Sequence, residues 1–342
     1  MTKSQTGPTA GSLAKPPIAA RTFRNPLKEE GADPWLVFHK GNYYLTRTTG
    51  EDIRICRAPT IAGLASAPDV VVWKDDTPAR RTQIWASEFH LLTGPAGPRW
   101  YLYYTASDGN DDHHRMHVLE SAGADPMGPY VYKAQLRTDA DNRFYAIDGT
   151  IIKKPDGTLY LMWAGRPDHV LFIARLSNPW TVETERVYIP ADGFGCPEVR
   201  EGPAALYRNG RIYLVYSMCD TGKPDYRLGM LVADEKSDLL QPASWQQHPH
   251  PVFERADANG VYGPGHNSFF KSPDGSEDWI AYHGKTSSAY TYGGRSTRVQ
   301  KFTWRPDGTP DFGIPLPLDR DIPVPSGEVA PEEKKAPPPP KP

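Results

Sequence analysis

The amino-acid sequence predicts an all-β fold, a five-bladed β-propeller, and three observations support this prediction. A hairpin pattern recurs five times, each copy is followed by a further apolar strand, and the copies are regularly spaced. Aromatic residues make up 11% of the chain, and its 36 prolines and 30 glycines indicate many turns. No long segment keeps the 3.6-residue apolar period of a helix, so we expect at most a helical turn or two, for example within residues 234–245.

Each hairpin copy combines a short strand, a turn containing glycine, and a second strand rich in Tyr and Leu. The copies begin at Asp33, Glu88, Asp148, Glu201 and His266. A repeated unit of about four strands is typical of a propeller blade, because a single blade cannot bury both of its faces. A β-sandwich is the alternative, since hairpins alone do not determine how the sheets close.

The repeats predict one propeller domain over residues 21–327. Residues 1–20 are rich in Pro, Ala, Gly, Ser and Thr, and residues 328–342 contain a proline run, so we expect both segments to be disordered. The N-terminal segment has no hydrophobic stretch of the kind a secretory signal needs. The sequence therefore suits a cytoplasmic protein, or a secreted one whose signal has been removed.

Charge and cysteine content restrict the partners that the sequence predicts. The 39 basic and 41 acidic residues give a net charge of -2, and no run of 18 apolar residues occurs, so we expect no nucleic acid and no membrane partner. We also expect a monomer. Cys56, Cys196 and Cys219 cannot form a complete disulfide framework and lack metal-ligand spacing. We interpret them as buried thiols, with a Cys196–Cys219 disulfide as the alternative.

Carboxylates open four of the five predicted inner strands. In a propeller the inner strands converge on one axis, so Asp33, Glu88, Asp148, Glu201 and His266 are expected around one channel mouth. Gathered carboxylates repel one another, which is typical of cation binding or acid/base chemistry. Glycoside hydrolysis needs one protonated and one ionised carboxyl group, and neighbouring negative charge raises the pKa of one of them.

Aromatic residues flank the same strand starts. Trp35, Trp85, Trp163 and Tyr262 are either flat platforms for sugar rings or part of the blade cores, and Trp85 is the one we favour at the sugar. Glu88 is expected to line the site without an assigned step, with an ion pair to an arginine as its structural alternative.

One further cluster, residues 108–117, contains three histidines and three acids. Because it lies between two predicted strands, we interpret it as a solvated loop rather than a metal site, although it could border the cleft.

Five segments of the chain, from about Asn25 to Gly313, resemble glycoside hydrolase family 43, a group of five-bladed propeller enzymes acting on arabinose- and xylose-containing polymers. ADPWLVFHKGNYYLT is similar to the segment with the general base, which implies that role for Asp33. AIDGTIIKKPDGTLYLMW resembles the segment with the third carboxylate, Asp148, and VREGPAALYRNGRIYLVYS resembles that with the general acid, Glu201. YGPGHNSFFKSPDG implies a channel histidine at His266, and GRSTRVQ implies a sugar-contacting arginine at Arg295.

The resemblance implies an inverting, exo-acting hydrolase that releases terminal α-L-arabinofuranose from arabinan, arabino-oligosaccharides or arabinoxylan, the plant cell-wall substrates. It rests on segments such as IWASEFH and LFIARLSNPWT, although Ser87 stands where many relatives have proline. A β-xylosidase and a non-catalytic carbohydrate-binding propeller remain the alternatives.

We expect the chemistry to require no cofactor, because the sequence contains no multi-histidine motif able to activate water and the carboxylates suffice for that step. The resemblance implies a structural Ca²⁺ or Na⁺ in the central channel near His266, which would bind it directly or through water. Asp148 is expected to raise the pKa of Glu201.

Overall fold

The computed structural model describes residues 21–329, which form an all-β structure, as predicted. In these residues the helical elements are five short 3-10 helices: Ala62–Ala65, Pro78–Arg80, Asp111–His113, Pro242–Ser244 and Asp257–Asn259. One of them lies in the connection where a helical turn is predicted. None of the helices described is long and apolar enough to cross a membrane.

The first two blades follow the short N-terminal strand β1 (Thr22–Phe23). The strands of blade 1 are β2 (Trp35–His39), β3 (Asn42–Thr46), β4 (Ile53–Ala58) and β5 (Val70–Trp73). The strands of blade 2 are β6 (Thr82–Gly94), β7 (Gly97–Ser107), β8 (Arg115–Ser121) and β9 (Tyr130–Gln135).

The remaining three blades follow in chain order. Blade 3 has five strands: β10 (Ala146–Lys153), β11 (Leu159–Gly165), β12 (Val170–Asn178), β13 (Thr181–Val182) and β14 (Val187–Ile189). Blade 4 contains β15 (Arg200–Arg208), β16 (Arg211–Met218), β17 (Arg227–Asp234) and β18 (Gln246–Gln247). Blade 5 contains β19 (Tyr262–Lys271), β20 (Asp278–Lys285), β21 (Ser296–Trp304) and β22 (Pro310–Asp311), and β23 (Ile322–Pro323) ends the domain.

The five sheets form a closed ring. In each sheet the strands pair antiparallel, with the first strand at one edge. These first strands contact one another in sequence, and β19 contacts β2, which completes the circle. Strand β1 pairs antiparallel with β23, so the two ends of the domain are joined. The five-bladed propeller predicted from the repeats is confirmed.

The hydrophobic core lies between neighbouring blades. Met162 of blade 3 and Leu214 of blade 4 belong to one buried cluster, and Trp279 of blade 5 packs in another with Leu45 of blade 1. Each blade therefore buries its apolar faces against its two neighbours. A single repeat outside the ring would leave these faces exposed to water.

A β-bulge recurs at the start of the inner strands. Trp85 pairs with Thr105 and Glu88 with Tyr103, so two residues separate the pairs on β6 but one separates them on β7. The inner strands of blades 3, 4 and 5 show the same irregularity. The first bulged residue has a positive φ in each case, and Asp33 before β2 has one too; these residues are Asp33, Ala86, Asp148, Gly202 and His266. Such bulges redirect side chains.

Side chains of the preceding blade satisfy the backbone N–H groups at these bulges. The N–H of Asp148 donates to Thr105 Oγ1 at 3.3 Å, and that of His266 donates to Ser217 Oγ at 2.8 Å. Thr48 accepts from Ala86 in the same way, and His283 Nδ1 accepts from Asp33. A buried N–H needs such a partner, so these contacts stabilise the bulged backbone.

Blade 4 departs from this scheme. In blade 3, which precedes it, the second-strand residue at the position of the acceptor is Ala164. This residue pairs with Ile147 and has no acceptor in its side chain. The N–H of Gly202 donates instead to Asp148 Oδ2 at 3.2 Å. Because Ala164 offers no acceptor, the backbone N–H next to Glu201 bonds directly to a carboxylate of the neighbouring blade.

A disulfide joins Cys196 and Cys219, with their Cα atoms 5.0 Å apart. The interpretation of all three cysteines as thiols is therefore wrong for this pair, and the alternative is correct; Cys56 is free and buried. The pairing could not be read from spacing because the loop before β15 returns to the end of β16 only in the folded blade. The bond links the segment preceding Glu201 to Asp220.

Glu328 is joined to the propeller. Its side chain accepts hydrogen bonds from Arg21 at 2.8 Å and from the N–H of Ile61 at 2.7 Å. The domain bounds 21–327 stay a prediction. The predicted segment 1–20, and the tail from residue 330 onward, lie outside the described residues.

Candidate active site

A cavity of about 530 Å³ opens where the bulges of the inner strands meet. It brings together six of the residues predicted for the site: Asp33, Trp85, Asp148, Glu201, His266 and Arg295. The carboxylates come from blades 1, 3 and 4, and the arginine comes from the loop between β20 and β21. The cavity walls are therefore contributed by separate blades of the propeller.

Asp33 is buried in a cationic environment. Arg295 donates to its Oδ1 at 3.1 Å, Thr48 donates to its Oδ2 at 2.6 Å, and His266 Nδ1 lies 3.3 Å from Oδ1. Burial acts to raise the pKa of Asp33, but the charges of His266 and Arg295 outweigh it and hold the pKa well below its usual value. Asp33 is thus kept ionised.

Asp148 is buried beside two other carboxyl groups of the cavity, Glu201 and Asp33. Its burial and the negative charges of Glu201 and Asp33 raise its pKa to about 7, against the opposing charge of His266, whose Nδ1 lies 3.8 Å from Oδ2. The hydrogen bond from the Gly202 N–H fixes the orientation of this group. Near neutral pH, Asp148 can therefore hold a proton while Asp33 does not.

Glu201 contacts two residues that the sequence analysis did not identify. Tyr226 donates to its Oε1 at 2.8 Å, and His169 Nε2 lies 3.2 Å from Oε2. Burial raises the pKa of Glu201, but the contact with His169 outweighs it and lowers the pKa overall. This differs from the expectation that Asp148 raises the pKa of Glu201: without substrate, the raised pKa is that of Asp148, because His169 and Tyr226 stabilise the Glu201 carboxylate.

Trp85 lies on the cavity wall and stacks on a neighbouring histidine. Its ring is 4.0 Å from that of His114, with 29° between the planes. His114 is buried, and Asp111 of the same segment lines the cavity. The connection that precedes β8 therefore borders the cavity through Asp111, one of the options that the sequence left open, whereas residues 115–117 belong to β8 itself.

Four predicted site residues do not line the cavity. Trp163 is fully buried in the core between blades 2 and 3. Trp35 packs between blades 1 and 2 and donates to the carbonyl of Phe89, and the ring of Tyr262 lies against Arg255. Trp163 and Trp35 thus lie in the blade cores, the alternative stated for them, whereas Tyr262 lies neither in a core cluster nor at the cavity.

Glu88 is the fourth, and the bulges explain its place. It lies two residues after the bulge residue Ala86, so it corresponds to Thr150 rather than to Asp148. Its carboxyl group is buried beside His90, at 2.9 Å from Nε2, and desolvation raises its pKa well above the usual value. It makes no arginine ion pair. The repeat alignment of Glu88 was wrong because Ala86 gives no chemical sign of the bulge.

Glu201 is also displaced by one residue from the repeat position. It immediately precedes the bulge residue Gly202, and its counterparts in the bulges of blades 2 and 3 are Trp85 and Ile147. These two residues line the cavity as well. In blade 3 both the bulged residue Asp148 and the preceding residue Ile147 line the cavity, which is why Asp148 and Glu201 meet there despite the shift in register.

The residues missed by sequence reasoning lie in connecting segments. His169 lies between β11 and β12, Tyr226 and Asp220 between β16 and β17, and Tyr292 between β20 and β21. No repeat register reaches these loops, so only the polar content near the strand ends could have indicated them.

The predicted channel ion finds no ligand set in the described part of the chain. Within residues 21–329, no group of three or more His, Cys, Asp and Glu side chains is arranged to hold a metal ion. The Nδ1 atom of His266 faces Asp33 and Asp148 instead. We therefore assign no step of the chemistry to an ion, and a water-mediated ion near His266 stays a prediction.

Comparison with known families shows to which family the propeller belongs. The profile described as "Glycosyl hydrolases family 43" matches residues 23–310. This chain belongs to glycosyl hydrolase family 43. The family resemblance inferred from the five motifs is thereby confirmed.

Among curated relatives of this family, an extracellular exo-alpha-(1->5)-L-arabinofuranosidase of Streptomyces avermitilis is 38% identical over 329 residues, covering 90% of this chain and 66% of the relative. An alpha-L-arabinofuranosidase 43 of Humicola insolens is also 38% identical, covering 89% of this chain and 66% of the relative. The chain thus spans about two thirds of the length of these relatives.

A solved alpha-L-arabinofuranosidase from Lactobacillus brevis has a similar fold. It superimposes with a TM-score of 0.79 at 35% identity, covering 87% of this chain and 98% of that structure. The fold of this chain is therefore similar to that of a solved alpha-L-arabinofuranosidase over nearly the whole length of that protein.

Proposed function

We propose that this protein is an inverting, exo-acting α-L-arabinofuranosidase that releases terminal arabinofuranose from arabinan, arabino-oligosaccharides or arabinoxylan. The observation that carries the proposal is one cavity holding Asp33, kept ionised by cationic neighbours, together with Asp148 and Glu201, which interact electrostatically. The printed names of relatives at 38% identity support the choice of sugar.

Asp33 is the general base in this proposal. Its low pKa keeps the carboxylate ionised, and the contacts from Thr48 and Arg295 orient it, so that it can accept a proton from an attacking water. His266, beside it, maintains the positive field in which the carboxylate is stable.

Glu201 is the general acid, and Asp148 supplies the electrostatic environment that lets it act. Two interacting carboxyl groups release their protons as a pair, and this pair keeps one proton up to about pH 7, the pKa of Asp148. A sugar bound in the cavity excludes water from Glu201, which favours the protonated form of this group. The leaving oxygen then receives the proton from Glu201.

Exo action follows from the enclosed form of the site. The cavity ends among the bulges of the inner strands, and loops of blades 2 to 5 rise around its mouth through Asp111, Arg166, Asp220 and Tyr292. A terminal sugar fits such a pocket, whereas an internal cut requires a groove open at both ends.

A screen of 4-nitrophenyl glycosides, with α-L-arabinofuranoside and β-D-xyloside compared side by side, tests the substrate. We expect kcat/KM on the arabinofuranoside to exceed that on the xyloside by at least about tenfold, since a fitted pocket discriminates between similar ligands by one to three kcal/mol. A preference for the xyloside would identify a β-xylosidase instead. Binding of sugars without hydrolysis of either would identify a carbohydrate-binding propeller.

Product analysis on linear arabinan tests the mode of attack. We expect monomeric arabinose from the first time points onward, with the polymer shortened slowly. Early accumulation of longer oligosaccharides would contradict the exo assignment while leaving the choice of sugar intact. The Asp33→Asn variant, assayed in parallel, controls for a contaminating hydrolase.

A further inference from the structure

Two exposed tyrosines stand at the rim of the cavity. Tyr290 and Tyr292, in the loop between β20 and β21, are 59% and 54% exposed, although large aromatic side chains are usually covered. Tyr292 lines the cavity itself. Their rings lie 5.6 Å apart at 73°, so they form a bent aromatic surface. We call these two residues the tyrosine pair.

The tyrosine pair is fixed by a single carboxylate. Asp220, which also lines the cavity, accepts hydrogen bonds from Tyr290 at 3.3 Å and from Tyr292 at 3.1 Å, and the two hydroxyl groups lie 2.7 Å apart. Because all three polar groups satisfy one another, the orientation of both rings is defined despite their exposure.

A buried ammonium group anchors the loop that carries the pair. Lys285 is 1% exposed, and the three N–H groups of its Nζ face four backbone carbonyl oxygens, those of Thr221, Gly222, Lys223 and Thr291, at 2.7–3.2 Å. Burial lowers its pKa to about 8, which leaves the ammonium group charged at neutral pH. One side chain thereby joins the loop of Asp220 to the loop of the tyrosine pair.

Further contacts brace the same rim. The N–H of Thr291 donates to the Gly222 carbonyl at 2.9 Å. A Cβ at Gly222 would approach the Tyr290 ring to 2.9 Å, so the ring packs against a residue without a side chain. Lys223 pairs with Glu198, and the Cys196–Cys219 bond closes the other end of this wall. The exposed aromatic surface is therefore pre-organised rather than a mobile loop tip.

The segment that holds Asp220 also contacts Glu201. Tyr226, which donates to Glu201, belongs to the segment between β16 and β17 that also contains Asp220. A leaving group protonated by Glu201 departs toward the mouth, past these loops. Aromatic rings offer the apolar C–H faces of a sugar a large contact area at a small cost in conformational entropy.

We propose that the tyrosine pair, oriented by Asp220 and anchored through Lys285, forms the subsite that binds the leaving-group sugar. This inference rests on the proposed glycosidase function. The ligand is the sugar ring that follows the scissile bond, in a furanose or pyranose form.

The test compares two substrates with the same terminal sugar, a disaccharide and the methyl glycoside. Both leaving groups are alcohols that need a proton from Glu201, but the methyl glycoside has no second ring. Tyr290→Ala and Tyr292→Ala should each lower kcat/KM on the disaccharide by about tenfold, with a change of less than about threefold on the methyl glycoside. Tyr290→Phe keeps the ring and should retain most of the disaccharide activity.

A matched control is Tyr188→Ala, since Tyr188 is a similarly exposed tyrosine of β14 that does not line the cavity. It should leave both rates unchanged. Equal losses on both substrates, or unchanged disaccharide activity, in the Tyr290 and Tyr292 variants would overturn the subsite. Both substrates carry the terminal sugar that the unmodified protein releases. If that sugar is not arabinose, the activity of the unmodified protein shows it, and the comparison of the two substrates still tests the subsite.

Discussion

At the scale of single residues, the site separates two carboxyl groups by their surroundings. Asp33 lies among His266, Arg295 and Thr48, which stabilise its charge, whereas Asp148 is buried beside other acids. Asp33 is thus ionised at a pH at which the Asp148–Glu201 pair still holds one proton, and acid/base catalysis by carboxyl groups requires one ionised and one protonated group.

Replacing Glu201 with Gln tests the general acid. We expect kcat on arabino-oligosaccharides to fall by about 10²–10⁴-fold, because a positioned acid contributes that much to a step needing proton transfer. On 2,4-dinitrophenyl α-L-arabinofuranoside, whose leaving group needs no proton, the loss should be far smaller. Comparable losses on both substrates would remove Glu201 from this role. The unchanged length of the side chain limits any effect on packing.

The pH dependence of kcat/KM reports the proton held by Asp148 and Glu201. The rate should fall as the pH rises through about 7, because the acid form is lost there. On the acidic side the rate should fall only at a pH well below the usual carboxyl pKa range, because Asp33 stays ionised. His169→Gln removes the contact that lowers the pKa of Glu201, so the upper limb should move to higher pH. If kcat/KM of this variant fell at the same pH as that of the unmodified protein, His169 would not control the pKa of Glu201.

The residue scale also shows what the sequence could predict. Asp33, Asp148, His266 and Arg295 lie in strands or motifs whose register is visible in the sequence, and all four line the cavity; their roles stay predictions. His169 and Tyr226 were missed because their approach to Glu201 depends on loop conformation rather than on strand periodicity. The pKa order of Asp148 and Glu201 depends on those two contacts, so it could not have been derived from the repeat.

At the scale of structural elements, the bulge at the start of the inner strands organises the site. It supplies the positive φ that aims Asp33, Asp148 and His266 at the axis, and neighbouring blades hold it through side-chain acceptors such as Thr105 and Ser217. The hairpins and their order were predictable from alternating hydrophobic residues and glycine turns. The bulge was not predictable, because two of its copies hold Ala86 and Gly202, which carry no functional side chain. For this reason Glu88, rather than Ala86, was aligned with Asp148.

The Cys196–Cys219 disulfide joins the segment before β15 to the end of β16, and its loss should lower the stability measurably. Replacing both cysteines with Ala should lower the free energy of unfolding by about 3 kcal/mol, the chain-entropy value for the 23-residue separation. Urea denaturation measures this difference. Dithiothreitol should lower the midpoint of the unmodified protein and leave that of the double variant unchanged. If the reductant affected both equally, the stabilisation would have another source.

At the scale of the whole molecule, the ring closure converts five repeats into one pocket. Each blade covers its neighbours, β1 pairs with β23, and Arg21 reaches Glu328 beside that joint. The number of blades was predictable because the repeat could be counted. Which loops rise around the mouth was not, since connections such as the one holding the tyrosine pair follow no repeat.

Ring geometry finally predicts the stereochemical course. The inner strands carrying Asp33 and Glu201 are not adjacent, because β19 lies between them in the circle. Such a separation leaves room for a water between base and sugar, and inverting sites hold their two carboxyls roughly 6.5–9.5 Å apart against about 5–5.5 Å in retaining sites. We therefore expect β-arabinose as the first product of an α-L-arabinofuranoside, detected by proton NMR before mutarotation. First release of the α-anomer, or a 2-fluoro sugar trapped covalently on Asp33, would show direct attack by the carboxylate and contradict the inverting mechanism.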